Sequence, residues 1–307
     1  MRIGIDLGGT SVAVGLVDDN FNVINRASAR TAGSKSEKEL VAVIISCIND
    51  LIKKSGVSWD NIDSIGIGSP GTIDIDNGIV VRAGNLPFRN TPVVKYLSDE
   101  FSKKVYIDND ANCAAWGEFN AGIAKGLDNV VMVTLGTGIG GGIIINGRIL
   151  HGKENHAGEI GHIVIDINGK RCACGRIGCW ETLASTRALI ERVKTEVEHV
   201  PYSILGHIVA ENNGVVDGRT LFIALKKGCK VARSIFNDYI ELLSIGVFNV
   251  IEVLRPDIIV FGGGVSKEGE TLIAPLREHI GEISTRIEAS TLNDQAGIIG
   301  AALLYLK

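Results

Sequence analysis

The chain has 307 residues, of which 45% are hydrophobic and 21% charged, with a formal net charge of −4. A chain of this length can bury a large core, and two domains are expected. The slight excess of acidic residues argues against nucleic acid as the main partner. No apolar run approaches the roughly 20 residues that a membrane-crossing helix needs. The chain opens MRIGIDLGGT without a basic and then apolar leader, which favours a reducing cytoplasm.

The first third of the chain alternates between strand and helix patterns. MRIGIDLG, SVAVGLVD and FNVINRASA predict three strands in succession. Apolar residues at helical spacing then predict a helix over 36–54. DSIGIGSPG predicts a strand that ends in a glycine-proline loop. Thr91-Pro92 predicts the start of a second helix, in the order of capping residue and then proline.

The remaining chain continues the alternation and then becomes mainly helical. KVYID predicts a strand and NDANCAAWGEF the start of a helix. NVVMVTLG and GGIIING predict a hairpin that closes at the Asn146-Gly147 turn. From Glu181 onward the pattern is mainly helical, and the strand PDIIVFGGG over 256–264 interrupts it.

Two glycine-rich stretches match the dinucleotide-binding pattern G-x-G-x-x-G, over 66–71 and 136–141. That motif requires its loop to open a helix. Turn and strand patterns follow both stretches instead, and Pro70 lacks an N–H group for a phosphate. The sequence therefore argues against a dinucleotide site.

A cluster of metal-binding residue types lies between His162 and Cys179. Together with Cys172 and Cys174 these residues supply three thiolates and one imidazole, a closed tetrahedral zinc set. The alternatives are a disulfide cluster or buried thiols, but a reducing compartment favours metal. His156 and His162 are not spaced like the two histidines of a zinc protease. We therefore predict a structural zinc ion.

Two glycine loops each join a pair of strands, one over 6–10 and the other over 134–142, which contains the stretch 136–141. Their bare N–H groups and threonine hydroxyls could hold phosphates, and Asp6 suits a Mg²⁺ ion bound partly through water. Taken singly, each loop could equally be a simple hairpin turn. Together they resemble the two phosphate hairpins of the actin and hexokinase superfamily, and 262–264 resembles its nucleotide-facing loop. The predicted ATP and Mg²⁺ contacts are Asp6, Gly8, Gly9, Thr10, Thr134, Gly136, Thr137, Gly138, Gly262, Gly263 and Gly264.

The order of motifs along the whole chain resembles the ROK family of sugar kinases and related repressors. The motifs are DLGGT, SPG, NLPF, DNDAN, TLGTGIGGG, HAGEIGH, CACGRIGCWE and FGGGV, and the zinc signature is the most distinctive. The resemblance implies an actin/hexokinase-like (ribonuclease H-like) α/β fold of two domains around a central cleft. It assigns 1–117 plus 297–307 to the N-terminal domain and 118–296 to the C-terminal domain, with a terminal helix over about 296–306.

The resemblance places the catalytic base at Asp110. This residue follows a strand and begins a helix, at the edge where open α/β sheets bind ligands. A helix N-terminus favours the ionised carboxylate that a base requires. The alternative is an aspartate that serves only as the helix N-cap.

By the same resemblance, a ring of polar residues binds the sugar hydroxyls. His162 would bind zinc through one ring nitrogen and face the sugar with the other. Without the resemblance, the two glutamates of this ring would be read as surface acids. His156 is ambiguous between a structural and a ligand-binding role, and the remaining histidines, His151 among them, carry no motif. The predicted sugar contacts are Gly71, Asn85, Asn109, Asp110, Glu159, His162 and Glu181.

Three functional hypotheses follow. The first is a glucokinase that forms glucose 6-phosphate from ATP. The second is a kinase for another hexose, such as N-acetylmannosamine, N-acetylglucosamine, fructose or allose. The third is a non-catalytic sugar-sensing regulator, which the start of DLGGT at residue 6 disfavours because no helix-turn-helix precedes it. The sequence leaves open the preferred hexose and the phosphoryl donor, and the resemblance suggests a homodimer or homotetramer.

Overall fold

A computed structural model describes all residues from 1 to 307 as a mixed α/β protein. Its strands are β1 (Arg2–Leu7), β2 (Ser11–Val17), β3 (Val23–Arg30), β4 (Ser64–Ser69), β5 (Thr72–Asp74), β6 (Ile79–Arg82), β7 (Arg89–Thr91), β8 (Lys104–Asn109), β9 (Val130–Leu135), β10 (Ile139–Ile145), β11 (Arg148–Ile149), β12 (Ile258–Gly263) and β13 (Arg286–Ala289). Its helices are α1 (Glu37–Ser55), α2 (Val93–Phe101), α3 (Asp110–Ala121), α4 (Trp180–Ala184), α5 (Thr186–His199), α6 (Ile204–Glu211), α7 (Thr220–Lys226), α8 (Lys230–Leu254), α9 (Glu270–Ile280) and α10 (Ala296–Ala302).

The first sheet has the strand order β3-β2-β1-β4-β8. β1, β4 and β8 run parallel, and β2 and β3 extend the sheet as an antiparallel meander. The backbone of helix α10 packs directly against the backbones of β1 and β4. A Cβ atom on Gly4 would lie 1.9 Å from the Ile298 carbonyl oxygen, and one on Gly66 would lie 1.8 Å from that of Ala301. Glycine is therefore required on both strands for this helix to sit where it does.

The second sheet has the order β11-β10-β9-β12-β13, and β5, β6 and β7 form a small third sheet. β10 and β11 join at Asn146 and Gly147, which both have positive φ, at 50° and 71°. This backbone conformation confirms the predicted Asn-Gly hairpin turn. The glycine stretches at 66–71 and 136–141 lead into β5 and β10, so the strands predicted after both stretches are confirmed.

The chain divides into two compact units. The first comprises Met1–Met132, Gly142–Gly158 and Ser290–Lys307, and the second comprises Val133–Gly141 and Glu159–Ala289. The domain boundaries given by the family resemblance stay a prediction.

The helix over 36–54 is confirmed as α1, whose N-cap Ser36 accepts a hydrogen bond from the Glu39 N–H at 3.2 Å. The predicted cap at Thr91 is wrong. Pro92 occupies the N-cap position of α2, and Thr91 ends β7 with its hydroxyl donating to Glu37 Oε2 at 2.8 Å. The Thr91 oxygen accepts the Arg89 N–H at 3.1 Å, so it bonds within its own strand and caps no N–H group of α2.

The helix α8 contradicts the prediction that no apolar segment is long enough to cross a membrane. By length and composition alone α8 meets that requirement, and 56% of its most apolar stretch is buried. Tyr239, Leu243 and Val247 on α8 are almost fully buried. The core helix of a folded protein passes the same test, so this helix is weak evidence for a membrane segment.

Candidate active site

The first glycine loop connects β1 to β2 as a tight hairpin. The Gly8 N–H donates to the Ser11 carbonyl at 2.8 Å, and the Thr31 hydroxyl donates to the Gly8 carbonyl at 3.1 Å. A Cβ atom on Gly9 would lie 3.1 Å from the Asn85 Cβ. The predicted phosphate loop therefore lies directly beside Asn85, a predicted sugar contact.

Asp6 lies near the end of β1, half-buried against the last helix. A Cβ atom on Gly297 of α10 would lie 2.9 Å from Asp6 Oδ2. Burial, followed by the charges of Asp110 and Asp294, raises the pKa of Asp6 to about 7, and the charge of Arg26 opposes this rise. A divalent cation would relieve this accumulation of carboxylates, which suits the predicted Mg²⁺ contact.

The register of the first sheet aligns the site residues on neighbouring strands. Asp6 of β1 pairs with Gly68 of β4, which pairs with Asp108 of β8, and Ser69 pairs with Asn109. Neighbouring strands lie about 4.8 Å apart, so the carboxyl ends of three strands present their polar groups within roughly 10 Å.

Asp110 is the first residue of α3, and Asn109 is its N-cap. The Asn109 side-chain oxygen accepts the N–H groups of Ala111 at 2.8 Å and Asn112 at 3.4 Å. The alternative interpretation of Asp110 as the N-cap is therefore wrong, because Asn109 performs that function. Asp110 is half-buried, and its Oδ1 accepts the Ala111 N–H at 2.9 Å.

Gly71 connects β4 to the small third sheet in a conformation that requires glycine. Its φ is +96°, and a Cβ atom would lie 2.1 Å from the Arg82 carbonyl oxygen. Asn109 Nδ2 donates to the Gly71 carbonyl at 3.4 Å. This hydrogen bond links two of the predicted sugar contacts.

Sequence reasoning missed a buried ionic cluster behind Asp110. Asp108 accepts a hydrogen bond from His151 Nε2 at 2.9 Å and another from the Lys307 ammonium group. The sequence predicts no role for His151, because no local motif surrounds it. The only signal in the sequence is the acid Asp108 directly before Asn109 and Asp110.

In the second unit, the loop between β9 and β10 is held at its base. The Gly136 N–H donates to the Gly138 carbonyl at 3.0 Å, and Thr186 donates to the carbonyls of Gly136 and Leu135 through its N–H and hydroxyl. Gly263, with φ of +93°, packs on the end of β9, because its Cβ would lie 2.2 Å from the Leu135 carbonyl oxygen. The second phosphate loop and the predicted nucleotide loop therefore adjoin. Thr134 is half-buried, Thr137 and Gly264 are exposed, and Gly262 is buried.

The predicted zinc ligands converge in the second unit. The ligand atoms of His162, Cys172, Cys174 and Cys179 all lie within 4.8 Å of one another. Cys174 Sγ lies 3.5 Å from Cys179 Sγ, and Cys172 Sγ lies 3.6 Å from His162 Nδ1. A tetrahedral ion with bonds of about 2.3 Å to sulfur separates its ligands by roughly 3.8 Å. These spacings fit a zinc ion and are too long for disulfide bonds. All six cysteines are accordingly free thiols.

The two nitrogens of His162 face different partners. Nδ1 points toward Cys172 and lies 3.5 Å from Glu181 Oε1, while Nε2 lies 3.7 Å from Glu159 Oε2. This arrangement fits the prediction that one nitrogen binds metal and the other faces ligand. His156 is exposed, and its N–H donates to the Lys153 carbonyl at 3.3 Å, so its role stays a prediction.

Comparison with known proteins confirms the resemblance predicted from the motifs. A model of the ROK family matches residues 2–307. A glucokinase of Thermotoga maritima is 35% identical over 98% of this chain and 95% of its own length. A xylose repressor of Caldicellulosiruptor bescii is 32% identical over 99% of this chain and 78% of its own length.

A solved structure supports the fold assignment. The ROK family glucokinase of Streptomyces griseus, in complex with glucose and AMPPNP, superposes with a TM-score of 0.87 at 31% identity. The match covers 99% of this chain and 98% of that one. The predicted actin/hexokinase-like α/β fold class is therefore confirmed.

Proposed function

The chain belongs to the ROK family, and from that premise we propose that it is an ATP-dependent hexose kinase that forms glucose 6-phosphate. The observation that carries this proposal is the position of Asp110 beside Asn109 and near Asp6, whose pKa it raises. A carboxylate at a helix N-terminus, next to a phosphate loop and a capping asparagine, suits the base of a phosphoryl-transfer reaction.

In the proposed reaction, Asp110 accepts the proton of the sugar hydroxyl. The hydroxyl oxygen bonds to the γ-phosphorus of ATP as the bond from that phosphorus to the β–γ bridging oxygen breaks, and ADP leaves. Mg²⁺ bound with ATP would neutralise the phosphate charge, and Asp6 is the residue that would hold it. The remaining site residues position substrate, which is the main source of rate enhancement in this chemistry.

A ring of five polar side chains would form hydrogen bonds with the sugar hydroxyls. These side chains are Asn85, Asn109, Glu159, His162 and Glu181. Each unmade buried hydrogen bond costs about 1–3 kcal/mol, so such a ring selects a sugar by its pattern of hydroxyls. The thiols of the zinc cluster would hold a structural zinc ion that orients His162 and takes no part in the chemistry.

Three glycine loops would contact the nucleotide. The first hairpin would contribute Gly8, Gly9 and Thr10, and the loop 262–264 would face the nucleotide. The second hairpin would contribute Thr134, Gly136, Thr137 and Gly138. A homodimer or homotetramer stays a prediction from the family resemblance, and a cytoplasmic location stays a prediction from the sequence.

The test is ADP release from ATP and Mg²⁺ across a panel of hexoses. The panel contains glucose, mannose, fructose, allose, N-acetylglucosamine and N-acetylmannosamine. We expect the highest kcat/KM for glucose; a higher value for an N-acetylated sugar would instead assign the chain to amino-sugar phosphorylation. The similarity to a xylose repressor makes the sugar-sensing regulator the second candidate. Sugar binding without turnover on any hexose would favour that candidate and contradict the kinase.

A further inference from the structure

Asp108 is a carboxylate with 1% exposure that accepts hydrogen bonds from four donors. Its Oδ1 accepts the Asn109 N–H at 2.7 Å and Asn112 Nδ2 at 3.0 Å. Its Oδ2 accepts from His151 Nε2 at 2.9 Å and from the Lys307 ammonium group. One oxygen thus holds the first turn of α3, and the other is anchored by residues distant in the chain.

The charge of this carboxylate depends on its partners. Burial alone would raise the pKa of Asp108, but the hydrogen bond from His151 and the charge of Lys307 hold it below the ordinary value of 3.8. Asp108 is therefore an anion at neutral pH. A buried anion that loses one partner is strongly destabilised, so His151 and Lys307 are needed to keep it in place.

The cluster lies directly behind the proposed base. Asp108 immediately precedes the N-cap Asn109, and Asp110 follows that cap as the first residue of α3. Asp108 Oδ1 fixes the backbone N–H of Asn109, whose side chain in turn fixes the first turn of the helix. The Asp108 carboxylate therefore helps to fix the orientation of the Asp110 side chain, although Asp108 itself is buried.

We propose that Asp108, His151 and Lys307 form a positioning network that holds Asn109 and Asp110 in the geometry needed for phosphoryl transfer. This inference rests on the proposed kinase activity. His151 acts through Asp108 and contacts no substrate. A misplacement of about 1 Å in a reacting group costs roughly 100-fold in rate, so loosening this turn affects the chemical step more than sugar binding.

The test compares two substitutions of His151. His151→Leu removes the donor to Asp108 and is expected to lower kcat by roughly 10- to 100-fold, with less than about threefold change in the hexose KM. His151→Gln keeps an N–H donor and is expected to recover part of the loss. Arg148→Gln, in the same hairpin, is the matched control, because Arg148 is exposed and is not among the donors to Asp108. A lower melting temperature with unchanged kcat would show a purely structural anchor and overturn the proposal.

A second measurement separates this inference from the kinase proposal. Amide hydrogen exchange at Asn109, followed by NMR, reports the turn directly. We expect at least about tenfold faster exchange in His151→Leu and in Lys307→Met than in the control Lys104→Met. If the wild-type protein phosphorylates no hexose, only the kinase proposal fails. The amide exchange at Asn109 still decides whether the network holds the first turn of α3. Unchanged exchange would overturn the network.

Discussion

Glu181 lies where a side chain on Gly138 would have to be. A Cβ atom on Gly138 would be 2.3 Å from Glu181 Oε2, well inside van der Waals contact. The other carboxylate oxygen, Oε1, lies 3.0 Å from Cys172 Sγ and 3.5 Å from His162 Nδ1. One glutamate thus adjoins the predicted second phosphate loop and the candidate metal cluster, so the backbone of the loop and the cluster constrain the same side chain.

Gly138→Ala tests this relationship. The added methyl group would displace the Glu181 side chain. Because the sugar would then lose one hydrogen-bond acceptor for its hydroxyls, we expect a roughly tenfold higher hexose KM. Steady-state kinetics would show the change, and metal analysis would show whether zinc is retained. Gly84→Ala is the steric control for stability, because its Cβ would meet no atom within 4 Å. An unchanged KM would mean that Glu181 does not bind the sugar.

Asp110→Asn tests the proposed base. The amide keeps the size of the side chain but cannot accept the proton of the attacking hydroxyl, so kcat is expected to fall by about 10²- to 10⁴-fold. Glucose binding, measured by calorimetry, should change by less than about threefold. The exposed Asp99→Asn serves as control. Turnover close to that of the wild type would remove Asp110 as the base.

Cys174→Ser tests whether zinc orients the sugar site. Cys174 is the exposed member of the cluster, so the substitution disturbs little packing. We expect loss of zinc and a 10- to 100-fold higher hexose KM, since a freed His162 would no longer hold its ring fixed. Metal content by atomic emission and kinetics on the same preparation would decide the matter. Cys229→Ala, outside the cluster, should retain zinc. Loss of zinc at constant KM would contradict the orienting role.

The local sequence was enough to predict elements whose signal lies within a few residues. The helix α1 follows from Ser36 and its apolar spacing, and the hairpin turn follows from Asn146-Gly147. The four candidate metal ligands lie within 18 residues of the chain, from His162 to Cys179, and the sequence predicts them together. Such patterns carry their structural cause in adjacent residues.

Elements whose cause is distant in the chain could not be predicted. His151 is 43 residues from Asp108, and no local pattern marks the pair. Thr91 does not cap α2, because its hydroxyl donates to Glu37, 54 residues earlier, and its oxygen accepts the Arg89 N–H of the same strand. The four residues of β13 carry too short a pattern to mark a strand, and β13 forms only because it pairs in parallel with β12.

Asp6 predicts a pH dependence of stability in the metal-free protein. Its pKa in the folded protein is about 7 against an ordinary value of 3.8. Between these values the folded state keeps the proton that the unfolded chain has lost, so Asp6 costs stability as the pH rises from about 4 to 7. Above pH 7 the cost is constant, with an upper bound of about 4 kcal/mol.

Asp6→Asn removes this cost. The variant is expected to exceed the wild type in melting temperature at pH 8 but to differ little from it at pH 4.5, both without Mg²⁺. Circular dichroism at the two pH values would test this, with the exposed Asp76→Asn as control. An equal difference at both values would show that Asp6 titrates normally.

Glu118 predicts a large loss of stability when its carboxylate is removed. This fully buried residue of α3 accepts the N–H groups of Ile123 at 3.0 Å and Leu292 at 2.9 Å, and the hydroxyls of Ser290 and Thr291 also donate to it. Glu118→Ala would leave these donors without an acceptor in a site closed to bulk water. We expect the free energy of unfolding to fall by roughly 3 kcal/mol.

Urea denaturation of Glu118→Ala beside the exposed Glu211→Ala would measure this loss. Glu118→Gln keeps one oxygen acceptor but places an NH₂ group against a donor, so we expect it to recover only part of the stability. A Glu118→Ala variant as stable as Glu211→Ala would show that water replaces the carboxylate in this cluster. Unfolding of the segment from Ser290 onward, followed by hydrogen exchange, should begin at lower urea in Glu118→Ala than in the wild type, because Ser290, Thr291 and Leu292 all bond to this carboxylate.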